Sequence, residues 1–245
     1  VARPDVAGLG PLLAAAADPE AAATLARFFQ VRPGGYGEGD HFIGLGVATI
    51  RRLVAPWVRE PCAPAEWLPW LGHRTHEYRL ATLVVWAERA RRGGPDELTA
   101  LHHAYLAHTD RVDNWDLVDV SCAAIVGGYL LTRDRAELDR LARSRSLWER
   151  RIAVISTHRF LRAGESADAY RLCDTLLDDP HDLIRKAVGW TLREAGRRCG
   201  PDGLRTFLDG RAGTMPRTSL RYAVEHFPAA ERRHYREDFG YRRVR

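Results

Sequence analysis

Apolar residues recur at three- and four-residue intervals along most of the chain, and nowhere do they alternate with the period of a strand. Between Val47 and Val58, Ile50, Leu53, Val54 and Trp57 fall on one side of a helix while Arg51, Arg52 and Arg59 face away. Between Glu77 and Arg92, Leu80, Leu83, Val84 and Ala87 form a comparable stripe. Pro11–Ala26 reads as two short helices broken at Asp18-Pro19-Glu20, since aspartate caps a helix start and proline suits its first turn. Further helices are predicted over Ala65–Leu71, Glu97–His108, Trp115 to near Ile125, Asp134–Arg143, Leu147–Leu161, Ser166–Leu177, Leu183–Arg198 and Arg217–Phe227. The pattern predicts an all-α fold. The glycine-dense segment Arg32–Asp40 lacks the G-x-x-x-x-G-K-[ST] pattern of a phosphate cradle and reads as an ordered loop between helices.

The helices repeat. Arg-x-Ala occurs at Arg79-Leu80-Ala81, Arg151-Ile152-Ala153, Arg185-Lys186-Ala187 and Arg221-Tyr222-Ala223, with arginines 72, 34 and 36 residues apart. Arg140-Leu141-Ala142 is a further copy out of phase. The first gap is two periods, and its missing member falls on Trp115. A period near 36 with paired helices suggests a HEAT-like α-solenoid, with residues 1–245 as one domain and a concave face lined by equivalent positions. A plain helical bundle is the competing reading.

Composition narrows the partners. The chain has 245 residues, a net charge of +5, and Lys186 as its only lysine. Forked guanidinium groups on a basic surface favour phosphates. No apolar run approaches the roughly 20 residues needed to cross a bilayer. Val1-Ala2-Arg3-Pro4-Asp5 does not read as a secretory signal, and Cys62, Cys122, Cys173 and Cys199 form no C-x-x-C pair, so a reducing cytoplasm is expected.

Candidate chemistry gathers on three helices. Trp115 and Asp119, four residues apart, share one face. An aromatic plane beside an anion suits a developing cation, as in glycoside cleavage. Arg151 falls on the next inner helix, and Lys186, Trp190 and Arg193 share a face of the one after. Cations interleaved with aromatics suit a nucleic-acid backbone, whereas a lone aspartate among them repels phosphate and points to a chemical role. Arg150 and Arg151 are adjacent, so only one can face the groove. Trp57, Trp67, Trp70, Trp86 and Trp148 read as core residues. His102, His103, His158 and His181 read as solvent-facing or capping, and Ser121 and Ser156 have no triad companions.

Three runs carry a family resemblance: Asn114-Trp115-Asp116-Leu117-Val118-Asp119, Leu147-Trp148-Glu149-Arg150-Arg151-Ile152-Ala153 and Ile184–Glu194. With Tyr36–Asp40, Phe42, Gly44, Pro216-Arg217 and Leu220–Ala223, they resemble the AlkD-like DNA alkylation repair glycosylases, built of HEAT-like repeats. The chain departs from that family where a basic residue and a proline usually follow the Phe42 segment; here Gly46 and Ala48 stand there.

The resemblance implies hydrolysis of the N-glycosidic bond of cationic N3- or N7-alkylated purines in double-stranded DNA, without drawing the base into a pocket. It implies Trp115 and Trp190 as groove tryptophans, Asp119 as the essential carboxylate and Arg151 as a backbone contact, with Lys186 and Arg193 beside it. A monomer needing no metal or cofactor is expected. An open groove is compatible with bulky adducts, such as those of a DNA-alkylating natural product. The alternative is a HEAT-like module that binds DNA or protein without cleaving.

Overall fold

The computed structural model describes residues 5–238, and among them helix is the only extended secondary structure. A single isolated bridge joins His41 to Thr75. The all-α prediction holds. The chain divides after Tyr129 into two compact units.

The first unit contains α1 (Leu9–Ala15), α2 (Pro19–Phe28), α3 (Val47–Val58), α4 (Pro64–Leu71), α5 (His76–Arg92), α6 (Pro95–Ala107) and α7 (Trp115–Leu130). Asp18 caps α2 as its sequence predicts, its Oδ1 accepting from the Glu20 and Ala21 amides. Helix α3 starts at Val47 with extended Gly46 before it, so the departure from the family pattern leaves the helix start intact.

Helix α5 differs from its predicted stripe because from Arg79 to Ala87 it is buried on all sides, with Glu77 buried just before. The Glu77 carboxylate, wholly inaccessible, accepts from the backbone amides of Ile43, Gly44 and Leu45 at 2.8–3.2 Å. Those bonds satisfy a charge that burial otherwise penalises by several kcal/mol on the order of its desolvation cost. At the far end of α5, Arg89 grips Glu97 through Nε (2.8 Å) and Nη2 (2.6 Å) and donates to the Val58 carbonyl. Helix α7 runs past Gly127-Gly128, where the sequence predicts its end. Burial of Ile125, Val126 and Leu130 outweighs a propensity penalty of about 1 kcal/mol per glycine.

The second unit contains α8 (Ala136–Ala142), α9 (Leu147–Ser156), α10 (His158–Leu161), α11 (Ala167–Thr175), α12 (Asp182–Cys199), α13 (Pro201–Arg211), α14 (Arg217–Ala223) and α15 (Ala229–Arg233). The predicted helix Leu147–Leu161 is split at Thr157, whose Oγ1 donates to the Val154 carbonyl at 2.6 Å, a side-chain bond that competes with the helical ladder. Helix α13 is absent from the sequence prediction because Gly203 and Gly210 dilute its pattern, although Leu204, Phe207 and Leu208 are buried. Helix α14 ends at Ala223, short of the predicted Phe227.

Residues spaced by the period read from the sequence share burial, and some are bonded to one another. All four in-phase alanines, Ala81, Ala153, Ala187 and Ala223, are at most 1% exposed. Within the second unit, bonds between neighbouring elements join residues one repeat apart. Arg151 donates to the Leu183 carbonyl across 32 positions, Ser219 to the Arg185 carbonyl across 34, and His158 meets Thr191 across 33.

Helix α14 packs closely where it crosses Gly189 of α12. A Cβ on Gly189 stands 2.5 Å from the Ser219 carbonyl oxygen and 2.6 Å from the Tyr222 Cβ. Gly189→Ala is therefore expected to destabilise the protein by about 1–3 kcal/mol despite alanine's better helix propensity. Thermal melting checks it. A Tm within error of wild type contradicts this packing.

Candidate active site

Asn114 starts α7: its carbonyl accepts from the Val118 amide at 3.2 Å, and its side-chain Oδ1 accepts from the Trp115 amide at 2.8 Å. Trp115 is thereby fixed at the first helical position. Its indole stacks on Phe29, with centroids 5.1 Å apart and planes 8° from parallel, and Phe28 meets it edge-on at 5.9 Å. Trp115 stays partly exposed, as does Asp119 one helical turn along the same face. Phe28 is 62% exposed, an unusual position for a bare aromatic ring.

Beneath Trp115 lies a buried polar chain. His76, 1% exposed, sets Nδ1 against Asp40 and Nε2 against Asp116, each at 2.8 Å. Burial pulls the imidazole down, but the two carboxylates outweigh it and push its pKa up to about 9. The ring is therefore an imidazolium that donates to both carboxylates. Phe42 stacks on it at 4.5 Å, presenting a π face to the cation.

Asp40 is held further by Arg79 at 2.7 Å and by the Asn114 side-chain amide at 3.3 Å. Burial alone raises a carboxyl group, yet bonds and charge from His76, with Arg79 and Asn114 adding, hold Asp40 below its usual range. The loop that carries Asp40 packs closely enough to need glycine: a Cβ on Gly37 stands 2.3 Å from the Phe29 carbonyl oxygen. Loop 36–40, the start of α5 and the start of α7 are thus tied together under the tryptophan.

In the second unit, Trp190 is partly exposed and meets the His158 ring edge-on at 4.6 Å. His158 pairs through Nε2 with the Thr191 hydroxyl at 2.9 Å, and burial drives its pKa down to about 3, so it stays neutral. Arg151 is 5% exposed and donates to the Leu183 carbonyl at 2.6 Å. Its neighbour Arg150 pairs with Asp179 at 2.6 Å. Lys186 is 41% exposed and paired with Asp182, one turn earlier, at 2.7 Å. Arg193 bonds Glu225. The structure thus places Trp115 and Asp119 together on α7 of the first unit. Trp190, Lys186 and Arg193 lie together on α12 of the second, with Arg151 bonded to that helix's first turn.

Several expectations need correction. His158 and His102 are buried, not solvent-facing, whereas His181 does cap a helix, its Nδ1 accepting from the Leu183 amide. Trp57, Trp67 and Trp86 are core residues, but Trp148 and Trp70 are only partly buried, the latter stacked on Tyr78 at 4.8 Å. The Asp40–His76–Asp116 chain was not anticipated. Its signal is spacing: its members are 36 and 40 residues apart, close to one repeat each. Among the described residues no cluster of His, Cys, Asp or Glu is arranged to hold a metal. His76 itself turns one nitrogen to each carboxylate, the geometry of a proton-bearing bridge. No described helix is long and apolar enough to cross a membrane.

The fold is similar to that of a solved chain described as a "predicted DNA alkylation repair enzyme from Enterococcus faecalis". The two are 15% identical with a TM-score of 0.66, and the match covers 87% of this chain and 97% of the other. No curated protein matches the sequence. The model of one family, described as "DNA alkylation repair enzyme", matches residues 11–227. The chain belongs to the DNA alkylation repair enzyme family.

Proposed function

We propose that the protein is a monofunctional DNA glycosylase that hydrolyses the N-glycosidic bond of cationic N3- or N7-alkylated purines in duplex DNA, acting as a monomer. The observation that carries this reading is the pair on α7: a braced, partly exposed indole with a carboxylate one turn away on the same face. An alkylated purine already bears positive charge, so its C1′–N bond breaks without a general acid and the bonding electrons leave with the base. Positive charge then develops on the deoxyribose. The Trp115 face and the Asp119 carboxylate stabilise that oxocarbenium, and Asp119 orients the water whose oxygen bonds C1′. The water's proton passes to solvent, leaving an abasic site.

Trp190 offers a second indole to the sugar–phosphate backbone. It is braced edge-on by the neutral His158 imidazole. Lys186, Arg193 and Arg151 hold flanking phosphates. Lys186 is the readiest of the three, since its bond to exposed Asp182 is a surface pair that a phosphate displaces at little cost. A reaction that never seats the base in a protein cavity tolerates large alkyl groups, so bulky N7 adducts belong to the same substrate class.

The test is a duplex bearing one N7-methylguanine, scored for alkali-labile abasic sites against spontaneous loss of the base. Wild-type protein is expected to accelerate site formation. Salt-sensitive binding with no sites, on this duplex and on one carrying a bulky N7 adduct, leaves a non-cleaving DNA-binding scaffold and ends the glycosylase reading.

A further inference from the structure

Around α14, α15 and the turn that follows lie two adjoining clefts of about 320 and 370 Å³. Arg217 and Arg236 line both, Arg221 lines the first, and Arg232 and Arg233 line the second. All five are exposed, and among the described residues Glu237 is the one carboxylate lining either cleft. Two nearby acids are engaged with other arginines: Glu225 bonds Arg193, and Glu231 bonds Arg205 at 3.0 Å. Arg232 donates to the Glu225 carbonyl at 3.4 Å, and Arg221 lies 5.5 Å from the Tyr222 ring centroid. Arg91 and Arg92 of α5, by contrast, both pair with Glu88 of their own helix.

Five like charges concentrated around shared clefts repel one another, and a bound polyanion removes that cost. We propose that this arginine trough binds the phosphodiester backbone of duplex DNA, as a contact separate from Trp115, Asp119 and the cations of α9 and α12. The proposal rests on duplex DNA being the substrate, as above. Guanidinium forks match phosphate oxygens in pairs. Among the described residues no aromatic ring lines either cleft, so these residues offer a base no stacking surface of the kind a mononucleotide site uses. Two clefts joined through shared arginines fit a linear run of phosphates. The first cleft is also lined by the buried apolar set Ala212, Met215 and Leu220, which fixes the ground beneath its charges.

The experiment measures affinity of the full chain for an unmodified duplex between 50 and 200 mM salt. The variants are Arg217→Gln/Arg221→Gln/Arg236→Gln and a control, Arg91→Gln/Arg92→Gln. Each lost phosphate contact flattens the slope of log affinity against log salt by about one. The trough variant is expected to lose about two to three units of slope and at least tenfold in affinity at low salt, with the control unchanged. A slope equal to wild type in a variant with intact circular dichroism overturns the proposal. Competition by poly-glutamate as effective as by duplex, at equal charge, also overturns it and assigns the trough to an acidic protein. Because this duplex bears no lesion, absence of excision by wild type defeats the glycosylase reading and leaves this result standing, and the converse also holds.

Discussion

Asp119→Asn lowers single-turnover excision of N7-methylguanine by about 10²–10³-fold and changes duplex affinity by less than about twofold; this is the expected result. A carboxylate about 4 Å from a sugar cation, at the effective dielectric of a partly exposed site, contributes about 4 kcal/mol, or about three orders of magnitude in rate. Asparagine keeps the shape and removes the charge. Near the start of α7 the anion also interacts favourably with the helix dipole, but that term is only about 0.3–1 kcal/mol, so the variant folds. Binding is nearly unaffected because in the ground state a carboxylate beside DNA repels phosphate. Its benefit exists only as the base departs, which separates a catalytic from a binding role. Asp110→Asn, on a carboxylate 68% exposed and paired with Arg111, serves as the control that leaves both quantities alone. If Asp119→Asn abolishes duplex binding while DNA that does bind is cleaved at the wild-type rate, the electrostatic role is wrong.

What could be read from the sequence depended on whether neighbours in space were also neighbours in the chain. Helix α3 has the predicted bounds Val47–Val58, because it buries one face and its stripe is unambiguous. Helix α5 was read as a stripe because Glu77 and Arg79 look like surface residues. They are buried, each satisfied by a partner more than 30 positions away, among them Ile43 and Asp40. Periodicity has no means of recognising a buried charge whose partner is distant.

The same limit shaped the site. Trp115 and Asp119 lie within five residues of one another, so their relation follows from helical geometry alone. The support beneath them comes from a glycine-rich loop and from the first turn of α5, and it became visible only when Asp40, His76 and Asp116 were brought to 2.8 Å. Helix α13 was missed for a different reason. Gly203 reads as a breaker, yet it makes room for Tyr170, whose hydroxyl stands 2.9 Å from where a Cβ would be. A glycine required by close packing and one required by a turn look identical in a sequence.

That support yields the second large effect. His76→Gln leaves the Asp40 and Asp116 carboxylates buried without the cation they share, and breaking a buried pair from one side costs about 3–5 kcal/mol. Arg79 and Asn114 still reach Asp40, and Asp113 lies 3.3 Å from Arg79, so Asp116 loses more than Asp40 does. Because Asn114 links Asp40 to the Trp115 amide, loosening the chain frees the indole, and excision is expected to fall at least tenfold even at temperatures where the variant is folded.

The pH dependence separates this electrostatic lock from packing alone. The folded pKa of His76 is about 9 against an unfolded 6.5, so the native state holds the proton more tightly. Its contribution is complete below pH 6.5 and is lost as pH rises through 9, amounting to roughly 3 kcal/mol. His158 has the opposite sign. Its folded pKa of about 3 makes its contribution complete above pH 6.5 and lost as pH falls. Wild-type stability is therefore expected to fall away from near-neutral pH in both directions. His76→Gln should flatten the alkaline limb between pH 6.5 and 9 and leave the acid limb in place. Melting temperatures across that range, wild type against variant, decide the matter: parallel curves displaced by a constant mean that His76 acts through packing and not through charge.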